Sequence, residues 1–273
     1  MLPIQPYATL NNGVTMPLLG LGVYDVFGLA AERAVMKALD AGYRLIDTAM
    51  IYQNERDVGN AIRHSGILRQ EIFVTTKVWQ TDQGYDSTFR AFETSSKKLN
   101  IDYIDLYLIH WPIKLKRKET WQALEKLYAD KRVRAIGVSN YLLPFLKELE
   151  SYGTINPTIN QIEFSPWLYL KDELKWCREK NIVLQAYSPL VRGKKFNDPV
   201  VVQLSEKYGK TPAQIILRWN IQSGVSAIPK SSNPKRIEEN FNIFDFALSD
   251  DDMLALSNLN ENFRTVEDPM ELL

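Results

Sequence analysis

EIFVTTKVWQTDQGYDSTFRAFETSSKKLNIDYIDLYLIHWP, residues 71–112, holds one full period of the chain's organisation. EIFVTTK is an apolar, β-branched run of strand length that closes on a cation, Lys77. The polar stretch after it carries Phe89, Phe92 and Leu99 at helical spacing, and DLYLIH then returns to strand character and closes on His110. Strand, helix and strand in this order make a parallel pair with a right-handed crossover.

The same unit recurs on both sides. Upstream, LAAERAVMKALDAG (29–42) sets Ala34, Val35, Ala38 and Leu39 on one helical face and ends at Gly42, a good C-cap. YRLID (43–47) is the next strand, and NERDVGNAIRHSG (54–66) the next helix. Before them, LLGLGVY (18–24) reads as a strand, and ATLNNGVTMP (8–17) as a hairpin around Asn-Gly. Downstream, VRAIGVS, TINQIEF and IVLQAYS are strands, and TWQALEKLYAD, YLLPFLKELES, LKDELKWCREK and PVVVQLSEKYG are helices. TPAQIILRWNIQSG adds a helix with Thr211 as N-cap and Pro212 at N1; VSAIP is a last short strand, with helical stretches from Pro234 and Ser249. Eight strands, each followed by helical sequence and with no linker between halves, predict one α/β domain over 1–273: a (β/α)8 TIM barrel with an N-terminal β-hairpin and extra helices. The rival, a doubly wound open sheet, needs G-x-G-x-x-G after the first strand; GLG at 20–22 lacks the third glycine and the helix it should open.

Composition excludes several classes. The chain has 273 residues, 33 basic and 33 acidic side chains and no net formal charge, so nothing draws it to nucleic acid. Its one dense basic run, 114–118, reads as a solvated loop or helix start. Cys177 is alone, which rules out an internal disulfide and a cysteine-rich metal site; no metal is expected. No apolar run reaches the ~18–20 residues of a membrane span, and the N-terminus lacks the pattern of a secretory signal. A cytoplasmic protein is the expectation.

In such a barrel, chemistry sits at the C-terminal ends of the strands. Asp47, Lys77 and His110 end three successive strands, and Tyr52 lies in the loop DTAMIYQNE after Asp47. Taken singly, each has an ordinary structural explanation: a loop cap, a solvated lysine, a core histidine, a rim tyrosine. Adjacent strands would instead bring all four into one pocket. A lysine ammonium near a phenol favours the phenolate and lowers its pKa; Asp47 would hold the lysine charged. Tyr52 would then act as general acid toward a substrate oxygen oriented by His110. Such a site polarises a carbonyl but supplies no electrons, so a hydride donor must be bound. AIPKSSNPKRIEEN (227–240) offers a place for one: Ser232 or Asn233 can cap a helix starting at Pro234, and Lys230 and Arg236 flank its anion-binding N-terminus. A hydrolase built on paired carboxylates is disfavoured, because Asp47 beside Lys77 is a poor general acid.

DTAxxYxNE at 47–55, TTKVW at 75–79, LIHWP at 108–112, GVSN at 137–140 and IPKS at 228–231 together resemble the aldo-keto reductases, over nearly the whole chain. The resemblance implies a monomeric NADPH-dependent carbonyl reductase with Tyr52 as proton donor, Lys77 and Asp47 as its tuning pair, and His110 orienting a small carbonyl substrate. It further implies that Ser139, Asn140 and Gln161 bind the nicotinamide carboxamide and that Tyr187 stacks on the ring. Ser188 and Leu190 would meet the pyrophosphate, Lys230, Ser231 and Arg236 the 2′-phosphate, and Glu239 and Asn240 the adenine. Tyr24, Ile51, Trp79 and Trp111 fall at substrate-pocket positions, whereas Trp121, Trp176 and Trp219 read as core. His110 argues against relatives that carry glutamate there and reduce carbon–carbon double bonds. Two departures stand out: the short loop SPLVRGKKF (188–196), where Arg192 or Lys194 could reach the pyrophosphate, and a short C-terminal segment after Leu259. Relatives that bind cofactor with little turnover keep a non-enzymatic role open.

Overall fold

The computed structural model describes residues 5–272; Met1–Ile4, part of the stretch searched for a secretory signal, and Leu273 lie outside the described residues. A two-stranded antiparallel hairpin, β1 (Tyr7–Thr9) and β2 (Thr15–Pro17), comes first. Eight parallel strands follow: β3 (Leu21–Gly22), β4 (Leu45–Asp47), β5 (Phe73–Val78), β6 (Ile104–Ile109), β7 (Val133–Ser139), β8 (Ile159–Glu163), β9 (Val183–Tyr187) and β10 (Ser226–Ala227). Each pairs with its sequence neighbour. Parallel bridges from Leu19 to Ala227 and from Gly22 to Lys230 join the first strand to the last, and the sheet closes into a (β/α)8 barrel. The seam is narrow because a Cβ on Gly22 would stand 3.0 Å from the Ile228 carbonyl oxygen.

Helices α1 (Gly28–Ala41), α2 (Glu55–His64), α3 (Tyr85–Leu99), α4 (Arg117–Ala129), α5 (Leu143–Tyr152) and α6 (Lys171–Glu179) each follow one strand. Two helices, α7 (Pro199–Tyr208) and α8 (Pro212–Gln222), follow β9, and two more, α9 (Pro234–Phe241) and α10 (Asp250–Ser257), follow β10. The expected punctuation is present. Gly42 ends α1 at φ 107°, and Thr211 with Gln214 forms a reciprocal capping box on α8 behind Pro212. The strand expected over 18–24 shrinks to two residues plus a bridge, as does the last strand. Arg117, in the run read as solvated, is buried; it pairs with Glu148 at 2.7 Å and donates to the Pro112 carbonyl.

Side-chain alternation sorts the strands into two faces. Val74 and Val78, Tyr107 and Ile109, and Val138 pack outward against the helices, with Trp121 and Phe92 in the same cluster. Leu45, Phe73, Leu106, Leu108, Ala135, Ile159 and Ile228 fill the lumen together with Leu10 and Met16 of the hairpin, which plugs the barrel floor. Trp121 and Trp219 are fully buried, and Trp176 packs partly buried against the core.

Following the lumen-facing positions upward explains where the chemistry sits. With a period of two, Leu45 is followed by Asp47, Phe73 by Thr75 and Lys77, and Leu106 and Leu108 by His110. Ala135 leads through Gly137 to Ser139, Ile159 to Gln161 and Glu163, and Val183 to Gln185 and Tyr187. Every one of these strands is apolar at the floor and polar at its C-terminal end.

Candidate active site

Asp47, Lys77 and His110 meet because their strands are neighbours and all three occupy the lumen face. Lys77 is completely buried; its Nζ donates to Asp47 Oδ1 at 2.6 Å and to the Thr48 carbonyl at 2.9 Å. Asp47 Oδ2 accepts from Gln161 Nε2 at 2.8 Å. A buried ammonium must be partnered, and here both partners come from the adjoining strand end.

Tyr52 closes a short 3₁₀ turn, Met50–Tyr52, and Gln53 ends that turn in the left-handed region at φ 55°. Asn54 fixes the surrounding loops: its Nδ2 donates to the carbonyls of Val23 and Val26, both at 2.8 Å, and its Oδ1 accepts from Thr48 Oγ1 at 2.6 Å. The phenol ring is thereby set with Lys77 Nζ 5.0 Å from its centroid. It stands edge-on to His110 at 5.6 Å and to Tyr24 at 5.2 Å. Trp79 meets the His110 ring edge-on at 5.1 Å. The four residues expected to share a pocket are brought together.

Electrostatics differ from the sequence expectation in one respect. Burial, reinforced by the charge of Asp47 and by Tyr187 and Tyr24, holds the Tyr52 phenol well above its ordinary value rather than below it. Lys77 is paired with Asp47 at 2.6 Å, so the phenol meets the carboxylate charge along with the ammonium. Burial raises the Asp47 carboxyl while Lys77 and Gln161 pull it down, and burial lowers the Lys77 ammonium while Asp47 supports it. Burial and the Lys77 charge hold His110 well below its usual value, so its imidazole is neutral. Its Nδ1 is buried without a hydrogen-bond partner.

Around these four lies a ring of polar groups. Asn140, at φ 67°, donates through Nδ2 to the His110 carbonyl at 2.8 Å and to Ser139 Oγ at 3.3 Å, and its Oδ1 accepts from the Tyr187 hydroxyl at 2.7 Å. Ser139, Asn140 and Gln161 are buried, while Tyr187 is half-buried. Ser188 and Arg192 have positive φ, and Leu190 packs partly buried against the core. Arg192 and Lys194 are exposed. At the far side, Asn233 rather than Ser232 caps α9, accepting from the amides of Lys235 and Arg236. Ser231 Oγ accepts from the Asn233 amide at 3.1 Å. Lys230 and Arg236 are exposed and, among the described residues, form no ion pair. Glu239 accepts from Thr211 Oγ1 at 2.8 Å, which fixes α9 to α8, and Asn240 is buried. Tyr24 and Ile51 are exposed at the rim; Trp79 and Trp111 are half-buried.

Several polar residues at the mouth escaped the sequence reading. Thr48 and Asn54 organise the Tyr52 loop, and Glu163 holds the C-terminal segment by accepting from the Thr265 amide at 2.7 Å and its hydroxyl at 2.5 Å. For Thr48 and Glu163 the signal is a polar residue at the end of an apolar strand; Asn54 stands instead just before the first residue of α2.

A closed barrel of eight parallel strands, with a lysine–aspartate pair, a tyrosine and a neutral histidine at its C-terminal mouth, defines a class of barrel enzymes rather than a binding module. Comparison with known proteins gives the family. Residues 28–261 match the model of the Aldo/keto reductase family. The glyoxal reductase of Bacillus subtilis is 51% identical over 97% of this chain and 96% of its own length. A solved aldo/keto reductase from Brucella melitensis superimposes with a TM-score of 0.90 at 48% identity, covering 94% of this chain and all of that one. A Bombyx mori aldo-keto reductase solved in complex with NADP gives 0.91 at 37% identity, over 97% and 96% of the two chains. The chain belongs to the aldo/keto reductase family and is an oxidoreductase of that class.

Proposed function

We propose that the protein reduces aldehydes and ketones with NADPH, and that Tyr52 donates the proton. The observation that carries this reading is the placement of the half-buried Tyr52 against the buried Lys77, Asp47 and His110 on adjoining strand ends. NADPH, when bound, supplies the hydride.

The donor set suits that cofactor. Lys230, Arg236 and Ser231 surround the capped start of α9, and two exposed cations with no carboxylate partner among the described residues suit an added phosphate. Ser139, Asn140, Gln161 and Tyr187 ring the lumen mouth and would hold a nicotinamide there, Ser188 and Leu190 would hold the pyrophosphate, and Glu239 and Asn240 the adenine. Arg192 and Lys194, exposed on the short loop, are placed to add contacts there.

The raised phenol stays protonated at every physiological pH, which is the state a general acid needs before reaction. As the carbonyl oxygen gains charge it becomes a stronger base than the phenolate, and the proton moves from the Tyr52 hydroxyl to it. Lys77 then faces a developing phenolate within a water-poor site, where its charge acts most strongly. His110, neutral and with Nδ1 enclosed, leaves Nε2 to hydrogen-bond the substrate oxygen and orient it. Tyr24, Ile51, Trp79 and Trp111 form an aromatic entrance with few polar groups, which admits small and aromatic carbonyl compounds. The similarity to a glyoxal reductase places small aldehydes among the substrates to try first. All of these residues lie on one chain, so the proposed working form is a monomer. A lone buried cysteine, its thiol pushed up to about 12 by burial, suits the reducing cytoplasm.

Substituting Tyr52→Phe tests the reading. NADPH binding should persist while turnover of an aldehyde such as nitrobenzaldehyde falls by a factor of about 10²–10⁴. Turnover close to wild type would remove Tyr52 from the role of proton donor.

A further inference from the structure

The lumen of a (β/α)8 barrel is ordinarily filled by layers of branched apolar side chains. One level of this barrel is polar instead. Gln161, Gln185 and Ser226 are direct cross-strand partners on β8, β9 and β10, and all three are buried. Their side chains form a continuous chain. Gln185 Nε2 donates to Ser226 Oγ at 3.0 Å, and Gln161 Nε2 donates to Gln185 Oε1 at 2.7 Å. The same Gln161 nitrogen donates to Asp47 Oδ2 at 2.8 Å, a bond that crosses the lumen from β8 to the opposite wall at β4.

The direction of this chain is set at its Asp47 end. An ionised carboxylate only accepts, so Gln161 must present its NH2 group, and both hydrogens are then committed. The second hydrogen, buried like the rest of the amide, needs an acceptor, and Gln185 Oε1 is that acceptor. Gln185 in turn disposes of its own NH2 on Ser226 and, more weakly, on Met16 Sδ of the floor hairpin at 3.9 Å. With an apolar residue at 185, one Gln161 hydrogen would be buried unpaired, or the amide would turn and place its carbonyl against Asp47. Either outcome weakens the hydrogen bond to Asp47.

We propose that Gln185 is a positioning residue: it holds the Gln161 amide in the orientation that hydrogen-bonds Asp47, and so keeps the Asp47–Lys77 pair ionised under the Tyr52 ring. The functional part of this statement rests on the proposed role of that pair in proton donation. Burial already pushes the Asp47 carboxyl upward, against the pull of Lys77 and Gln161. Loss of the Gln161 bond therefore moves its titration further up.

The experiment follows the Asp47 carboxyl by carbon NMR of aspartate-labelled protein across pH, in wild type, Gln185→Met and Gln185→Glu, alongside the pH profile of kcat/KM with NADPH and nitrobenzaldehyde. Met fills the same length with only a weak acceptor. It should raise the Asp47 titration by about one unit, carry the acid limb of kcat/KM up with it, and lower kcat/KM roughly tenfold at the acid side. A buried Glu at 185 is protonated, offers its carbonyl to Gln161 and its hydroxyl to Ser226, and should restore the wild-type titration. Should Gln185→Met not fold, Gln185→Leu is read the same way. An unchanged titration in the apolar variant overturns the proposal, and so does an equal shift in Gln185→Glu, which would report packing alone. If wild type reduces no carbonyl compound, the functional reading falls, yet the Asp47 titration still decides the positioning claim.

Discussion

Two buried carboxylates, Asp47 and Asp105, sit at opposite ends of the same barrel and are partnered in different ways. Asp105, near the start of β6, accepts from Arg69 Nη2 at 2.6 Å, the Val74 amide at 2.9 Å and Arg134 Nη1 at 2.6 Å. Its arginines reach the surface, one at 13% and the other at 40% side-chain exposure, so water shares their charge. This network ties the floor ends of β5, β6 and β7 together. Asp47 at the mouth has one cation, and that cation is wholly enclosed. Beside it stand a phenol held protonated and a histidine nitrogen with no partner. A buried ion pair is thus no mark of function by itself. The floor has an unmatched atom of its own, Arg69 Nε, so what distinguishes the mouth is the complete enclosure of its one cation together with the titratable phenol and imidazole that face it.

The sharpest way to break this contrast is at Lys77. Lys77→Met should lower turnover by roughly 10³-fold, because Tyr52 loses the cation that meets its phenolate. It should also cost about 3 kcal/mol in urea unfolding, since Asp47 is left buried without a counter-charge. A variant that keeps its activity would make the mouth pair a strap like the floor pair. Asp105→Asn should do the reverse. About 2–3 kcal/mol of stability should go, discounted for the exposure of Arg134, while kcat/KM stays within about twofold of wild type. A selective loss of turnover there would erase the distinction between the two ends.

The exposed cations of the mouth give a smaller effect. Lys230→Ala with Arg236→Ala should weaken NADPH binding about thirtyfold and NADH binding little, with no change in unfolding midpoint. Equal weakening of both dinucleotides, measured by fluorescence titration, would remove the phosphate-site assignment. A third carboxylate, Asp252 near the start of α10, calibrates the scale. Burial opposes its ionisation, but hydrogen bonds from Lys207, Tyr208 and Ser249 bring its pKa down to about 2. A depressed carboxyl stabilises above its unfolded value of about 3.9 and loses that contribution as pH falls through the folded value. Asp252→Asn should therefore cost about 1 kcal/mol at neutral pH, with the gap from wild type closing between about pH 4 and 2.

Much of this was legible along the chain because period and punctuation are local properties. DLYLIH places Leu106, Leu108 and His110 on one face before any tertiary contact exists, and RLID and FVTTK do the same for Asp47 and Lys77. Gly42, Thr211 and Pro212 mark helix ends for equally local reasons. Along the chain Gln185 is only one residue of a strand and Arg117 only one of a basic run, because burial depends on elements distant in sequence. The direction of the Tyr52 shift escapes the sequence for the same reason: its leading cause is burial of the phenol, which the closed barrel imposes, with the Asp47 charge added to it.

The sequence by itself determined a barrel of eight βα units and the floor-to-mouth gradient that sets polar side chains at its C-terminal rim. Alternation and capping need no partner beyond a few residues away. Only the tertiary structure decided that Gln161 spans the lumen to Asp47, that Lys77 is buried in a pair with Asp47, and that burial and the Lys77 charge hold His110 well below its usual value. Those outcomes depend on distances between opposite walls and on the exclusion of water, and both come into being only when the sheet closes.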